Sequence, residues 1–403
     1  MRPVRDRRGF LRGATTACAV GLAGCLGGSN GDGSDDVEVD VDPGDPDASE
    51  DWPTFQFDAA NTGRAPGQGP TGGVEARWSF PTEDPVYSSP AVVDGTAFVG
   101  TNGGTVYAVS TDDGDEEWRV TTGDSVTSSP AVVDGTVYVG SQDGTLSALS
   151  ADDGEEVWQF RAGGMIAGSP TVVDGTVYVG STDTVLYALS ADDGEELGEF
   201  ETDGSIQRAP AVTEDAVFVG SGDQSLYAID RELDEQRWAV QTGDWIQSRP
   251  AVADGVVYVG SNDDHVYAID ADSGEIRWTF LTEGSVTASP AVLENVVYVG
   301  GFDSRIYALS PESAETEGEG PDDPATHYWS SSGFQQIRSS PAVVGDTLYV
   351  GNEDSHVYAL SAVDGETRWR FSTDGGVASS PAVVDDTVYV GSEDGHLYAL
   401  EET

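Results

Sequence analysis

The chain has 403 residues, with 72 acidic side chains against 18 basic ones, a formal net charge of −54, two cysteines and no lysine. A surface of that sign repels polyanions and excludes nucleic acid as a partner, and two cysteines exclude a disulfide framework or a thiolate metal centre. The carboxylates are spread along the whole chain, which suits hydration of a surface in concentrated salt, where the screening length falls to about 3 Å.

The N-terminus reads MRPVRDRRGFLRGATTACAVGLAGC. Arg7 and Arg8 precede Phe10-Leu11, a short and weakly apolar stretch, and then Leu22-Ala23-Gly24-Cys25. This order resembles a twin-arginine export signal followed by a lipoprotein processing box. The apolar stretch is too short to span a bilayer, so residues 1–24 are expected to be removed as a signal peptide, leaving Cys25 as an acylated first residue. Residues 25–50, rich in Gly, Ser, Asp and Pro without an apolar period, then read as an acidic disordered tether. This places the protein outside the cytoplasmic membrane, held to its outer face by lipid. The acidic surplus without lysine resembles haloarchaeal proteins.

From residue 51 onward one phrase dominates. SPAVVDGTVYVGS, from Ser129 to Ser141, recurs in close variants anchored on Pro90, Pro130, Pro170, Pro210, Pro250, Pro290, Pro341 and Pro381. All but one of the steps between these prolines are forty residues, the signature of a repeat fold. Each unit holds four short apolar runs separated by turn residues: Asp134-Gly135, Gln142-Asp143-Gly144 and Asp152-Asp153-Gly154 in the second unit. Asp-Gly between alternating hydrophobics predicts hairpins. The prediction is therefore all-β: an eight-bladed β-propeller of four-stranded blades over residues 51–403. The last unit stops three strands in, at HLYALEET, while a spare fourth-type strand stands at Val74–Phe80. That N-terminal strand can complete the last blade, closing the ring and hiding its edges.

The fourth strands follow patterns such as ALSADDGEEVW (Ala148 to Trp158) and AIDADSGEIRW (Ala268 to Trp278). These resemble the tryptophan-docking repeat of the PQQ-type quinoprotein propellers, and DWPTFQFDAANTG (Asp51 to Gly63) resembles a lead-in common among them. Trp78, Trp118, Trp158, Trp238, Trp278, Trp329 and Trp369 are then structural wedges between sheets. The fourth tryptophan position reads Leu197-Gly198 instead, which predicts a looser packing seam. The resemblance implies either a dehydrogenase carrying pyrroloquinoline quinone and calcium or a cofactor-free scaffold lipoprotein, and fold does not choose between them. The adjacent cysteines and long loops of the dehydrogenases are missing here, so the scaffold branch is expected, with no cofactor and no catalysis. PQQ and Ca2+ with dehydrogenase activity stand as the alternative.

Specificity should sit where the units disagree, at the segment entering each innermost strand just before the Ser-Pro step. Most units have small residues there, but SIQRAP carries Gln207 and Arg208, WIQSRP carries Trp245, Gln247 and Arg249, and QIRSSP carries Gln336 and Arg338. In propellers this segment lies near the central mouth. Arg, Gln and Trp together suit an anionic or amide-bearing group of a protein or small polar ligand, although arginines in an acidic protein also simply pair with carboxylates. His265, His356 and His396 share one register at the start of a third strand and read as strand-edge residues, not metal ligands. The DDGEE turns read as hairpins in preference to a calcium ring, and the insertion around 311–326 as a tolerated loop on the face opposite the mouth. A monomer is expected, with a protein partner at the cell surface.

Overall fold

Valine, tyrosine and alanine alternate through the short runs, and the sheets they form bury both faces, as expected of blades stacked against neighbours. The computed structural model describes residues 51–294, 296–310 and 327–403, all within one compact unit. The expected signal, the lipidated Cys25, the tether and the insertion lie outside the described residues.

Eight antiparallel four-stranded sheets follow one another in chain order. The second blade is representative, with strands Ala131–Val133, Thr136–Gly140, Thr145–Ser150 and Glu156–Arg161 running from the axis outward. The first strand of the eighth blade touches that of the first, as the first strands of most successive blades touch one another, so the ring is closed. The spare strand spans Val74–Pro81 and pairs antiparallel with His396–Glu402, completing the eighth blade as its outermost strand. Closure goes further than the strand alone. Pro70 O accepts both Trp369 Nε1–H at 2.7 Å and the Tyr349 hydroxyl at 3.1 Å, the role that the next blade's turn plays elsewhere.

The repeated phrase can now be read physically. The glycine ending each second strand lets the following blade approach: a side-chain carbon at Gly100 would run into Val126, and one at Gly140 into Ile166. Tryptophan Nε1–H donates across regular seams to a turn carbonyl, as in Trp118 to Ala151 O at 2.8 Å and Trp158 to Ala191 O at 2.9 Å. The indole lies on the positive-φ glycine of the same turn, so a Cβ at Gly154 would press on Trp118. Those DDGEE turns are self-contained hairpins: Asp153 Oδ1 accepts Glu155 N–H at 3.1 Å, and its carboxyl is lowered first by the Ser150 hydroxyl.

The expectation of a loose seam at Leu197-Gly198 is corrected. The pair belongs to the outer strand of the third blade, Glu196–Glu201, not to the fourth blade as the order of tryptophans suggests. The seam is filled from the other side. In the neighbouring turn the glycine position is Asp234 and the positive φ falls one residue earlier, on Leu233, which is only 2% exposed and packed with Tyr178, Ala188 and Ile229. A side-chain carbon on Gly198 would strike the Glu232 carbonyl oxygen. Tryptophan facing glycine has become glycine facing leucine.

Candidate functional site

The lead-in DWPTFQFDAANTG runs beneath the ring on the face opposite the mouth, lacing inner strands that would otherwise leave backbone groups open toward the axis. Trp52 exchanges hydrogen bonds with Val92 at 2.6 and 2.8 Å; Val132, Val212, Val252, Val292 and Val343 donate their N–H groups to carbonyls of Pro53, Ala59, Ala60, Thr62 and Gly63. The Asn61 amide donates to Pro210 O and Pro250 O, and the Gln56 amide to Pro290 O and Pro341 O. Arg64–Ala65 then adds in parallel to the inner edge of the seventh blade. The central channel is therefore stopped at one end, and Phe55, 4% exposed, forms a floor.

Above this floor lies a cavity of about 460 Å³. Its collar is the residue directly before each repeat proline, most often the serine of the Ser-Pro step. Ser380, Ser89, Ser340, Ser289 and Arg249 donate their backbone N–H groups to the Oγ of Ser89, Ser129, Ser380, Ser340 and Ser289 in the next blade round, and Ser129 N–H to Ser169 Oγ, all at 2.8 to 3.0 Å. The collar is interrupted where the fourth and fifth blades put Ala209 and Arg249 in place of serine. Arg249 instead sends its side chain across the gap, donating from Nη2 to Ser169 Oγ at 3.0 Å with its guanidinium 3.3 Å above the Phe55 ring.

Of the seven expected mouth residues, Arg208, Gln247, Arg249 and Arg338 line this cavity and Gln207, Trp245 and Gln336 do not; the three arginines stand at different depths set by register. Arg249 stands one residue before its proline, is 8% exposed and leaves its Nε without an acceptor. Arg208 stands two residues before its proline and donates from Nε to Gln247 O at 2.7 Å. Arg338, three before, is 52% exposed at the rim and paired with Glu353 at 3.2 Å. Burial first, and then the Arg208 guanidinium, hold Arg249 well below the ordinary arginine range. Burial first, and then Arg338, lower Arg208. An arginine stays charged at neutral pH even so, and no carboxylate contributes to either group.

Gln247 lines the cavity with Arg208 and Arg249. Gln207 bonds to Ser205 Oγ at 3.0 Å, Trp245 is 46% exposed, and Gln336 lies exposed on the rim. Reading the sequence missed Phe55, Tyr87 and Phe302, which also line the cavity. Tyr87 was detectable, since it occupies the position of Gln207 and Gln247 in its own unit. Phe55 was not, because it comes from the lead-in and not from a repeat. The tyrosine hydroxyl is raised, by burial first and then by Glu393 and Glu353.

The three histidines remain at strand edges, His265 and His356 each bonding through Nδ1 to the carbonyl two residues before it and His396 to Asp394 Oδ1. Among the described residues no three His, Cys, Asp or Glu side chains come together as a metal site.

A closed eight-bladed ring with tryptophan-docked seams and one plugged channel defines a PQQ-type repeat propeller. Residues 70–200, 162–247, 223–317 and 322–403 match the family described as outer membrane protein assembly factor BamB, and the chain belongs to that family. No curated protein sequence matches it significantly. Among solved structures, BamB from Moraxella catarrhalis superposes with a TM-score of 0.66 at 20% identity, covering 81% of this chain and 97% of its own. Quinohemoprotein alcohol dehydrogenase from Comamonas testosteroni gives 0.75 at 17% identity, covering 88% and 81% respectively. The computationally designed Ika8 protein gives 0.70 at 16% identity, over 79% and 96%. At such identities these likenesses establish the fold alone, shared by an assembly factor, a redox enzyme and a designed ring.

Proposed function

We propose that this protein is an exported, lipid-anchored binding module on the outer face of the cytoplasmic membrane, presenting the mouth of its propeller to a protein or a small polar ligand without catalysis of its own. The observation that carries this reading is convergence: residues that break the repeat, scattered from Tyr87 to Arg338 in sequence, meet in one cavity whose other walls are uniform. The family's description as an assembly factor agrees with an interaction role, and the chemistry of the N-terminus supports export and acylation at Cys25.

Two experiments test it. Replacing Cys25 by Ser should release the protein from membranes, and replacing Arg7 and Arg8 by Lys should stop export; a protein that stays membrane-bound without Cys25 overturns the anchor. The triple variant Arg208→Ala, Arg249→Ala, Arg338→Ala should lose the partner cross-linked in cells to the native chain, and unchanged cross-linking sinks the mouth as the binding face.

The dehydrogenase reading draws support from the donors of the cavity, which suit the carboxylates of pyrroloquinoline quinone. Against it stands the lack, among the described residues, of a carboxylate cluster fit to hold calcium beside them. Titration of the purified domain with the quinone and calcium decides this: saturable binding with dye-linked alcohol oxidation replaces the binding-module reading.

A further inference from the structure

No carboxylate answers Arg249 or Arg208, although both face a cavity and one is buried. Several other arginines are paired: Arg368 bidentately with Asp346 at 2.7 Å, Arg231 with Asp174 at 2.9 Å, Arg277 with Asp270 at 2.7 Å, and Arg338 with Glu353. In a chain carrying −54, one buried guanidinium, Arg249, and one half-buried, Arg208, facing one cavity without a carboxylate leave a local positive field in an otherwise negative molecule. Uncompensated burial of a cation is costly, and the cost falls when an anion enters.

The collar adds donors of a second kind. Ser89, Ser129, Ser289, Ser340 and Ser380 line the cavity and use Oγ to accept a backbone N–H. Among the described residues none of these hydroxyls donates to a protein acceptor, so their protons are available to a ligand. Thr287 Oγ1 and Arg249 Nε are buried with no partner at all. The cavity thus offers N–H and O–H donors around its wall and an aromatic floor.

Two exposed apolar side chains stand at the outer end of entry segments flanking this part of the mouth, beyond the residues that line the cavity itself. Met165 and Trp245, 45% and 46% exposed, occupy the same register in the entry segments of the third and fifth blades, on either side of the blade that carries Arg208. A purely inorganic ion would make no use of them.

We infer that the mouth is a site for a carboxylate borne on an apolar body, its oxygens held by Arg208, Arg249 and the serine collar and its body lying toward Met165 and Trp245. This rests on the mouth being the binding face and adds the class of ligand. Arg338 lines the rim of the same cavity, but Glu353 already answers its charge, so the carboxylate is assigned to the other two arginines. The same chemistry comes from a free organic acid or from the free C-terminus of a polypeptide.

Isothermal titration of the folded propeller separates these. The probes are phenylbutyrate and its methyl ester, acetyl-Leu-Ala-Phe as free acid and as amide, and acetate. Both apolar acids should bind, with affinity lost on esterification or amidation, and Arg208→Gln should weaken binding about 10- to 100-fold, as expected for loss of a charged hydrogen-bonding group. Arg277→Ala, which removes an arginine paired with Asp270 and absent from the cavity wall, should leave binding within about twofold. Tighter binding of the peptide assigns a chain end, and tighter binding of phenylbutyrate a free acid. Since Arg249→Gln tests a more buried group, its fold is checked by circular dichroism, and Arg208→Gln stands as the independent variant. Acetate binding as tightly as the apolar acids overturns the apolar half of the inference, and binding unaffected by Arg208→Gln overturns the site. If no probe binds while the triple arginine variant still loses its cross-linked partner, the carboxylate inference fails and the mouth as binding face survives.

Discussion

The two arcs of the central collar differ. From the sixth blade through the eighth to the second, Ser289, Ser340, Ser380, Ser89 and Ser129 are linked hydroxyl to backbone without a break. From the third blade to the fifth the chain of bonds stops, an alanine and an arginine replace serine, and the seam at Gly198 is inverted. In one arc every collar serine serves the wall; in the other, collar residues have left it. A repeat protein can free a position in two ways. At a seam both partners must change together, as with Gly198 and Leu233, because the interior has no room for one alone. At the axis a single change suffices, because the space beyond it is a cavity.

Substitutions can break or sharpen that contrast. The largest effect belongs to a regular seam: Trp118→Ala should cost about 3–5 kcal/mol in denaturant unfolding, from lost burial and the bond to Ala151 O. Gly198→Trp, which restores the consensus at the irregular seam, should destabilise by about 1–3 kcal/mol because Leu233 and the Glu232 carbonyl hold the space. A gain in stability from that variant would mean the seam is empty.

At the collar the sign reverses. Arg249→Ser removes a buried unpaired cation and supplies a hydroxyl opposite Ala209 N–H, so stability should rise by about 1–3 kcal/mol while ligand binding is lost. A fall in stability would make Arg249 a structural residue and dissolve the difference between the arcs.

The smallest effect is common to both arcs and serves as a control. Tyr227 donates to Asp223 Oδ2 at 2.8 Å, a bond repeated by Tyr267 with Asp263 and Tyr398 with Asp394. Burial first, and then Asp223, push the Tyr227 hydroxyl up to about 12 from an ordinary 10.0. A phenol raised on folding contributes stability that is complete below pH 10 and is lost as the pH climbs toward 12. Tyr227→Phe should cost about 0.5–1 kcal/mol at neutral pH for a half-buried bond and remove this residue's share of the alkaline loss, read from midpoints of unfolding across that range.

Much of the fold was legible before any coordinates. Eight prolines in register fixed blade number, Asp-Gly turns fixed the hairpins, and the spare strand at Val74 foretold how the eighth blade is completed. The candidate site was legible in part. Departures from the repeat pointed to Arg208, Arg249 and Arg338, but treated them as equals, whereas their distances from the proline put one in the collar, one above it and one at the rim. The lead-in was recognised as a motif without its task, since nothing in DWPTFQFDAANTG reveals that it crosses beneath blades far away in sequence.

The sequence by itself determined the architecture of this protein, because a period of short strands and tight turns is a local property repeated until the ring closes. Only the tertiary structure decided which cations lack a counter-charge, that Phe55 floors the cavity and that Leu233 fills the seam left by Gly198. Each depends on residues distant in the chain meeting in space, and burial, pairing and the cost of an unanswered charge are set by those meetings and not by neighbours in sequence.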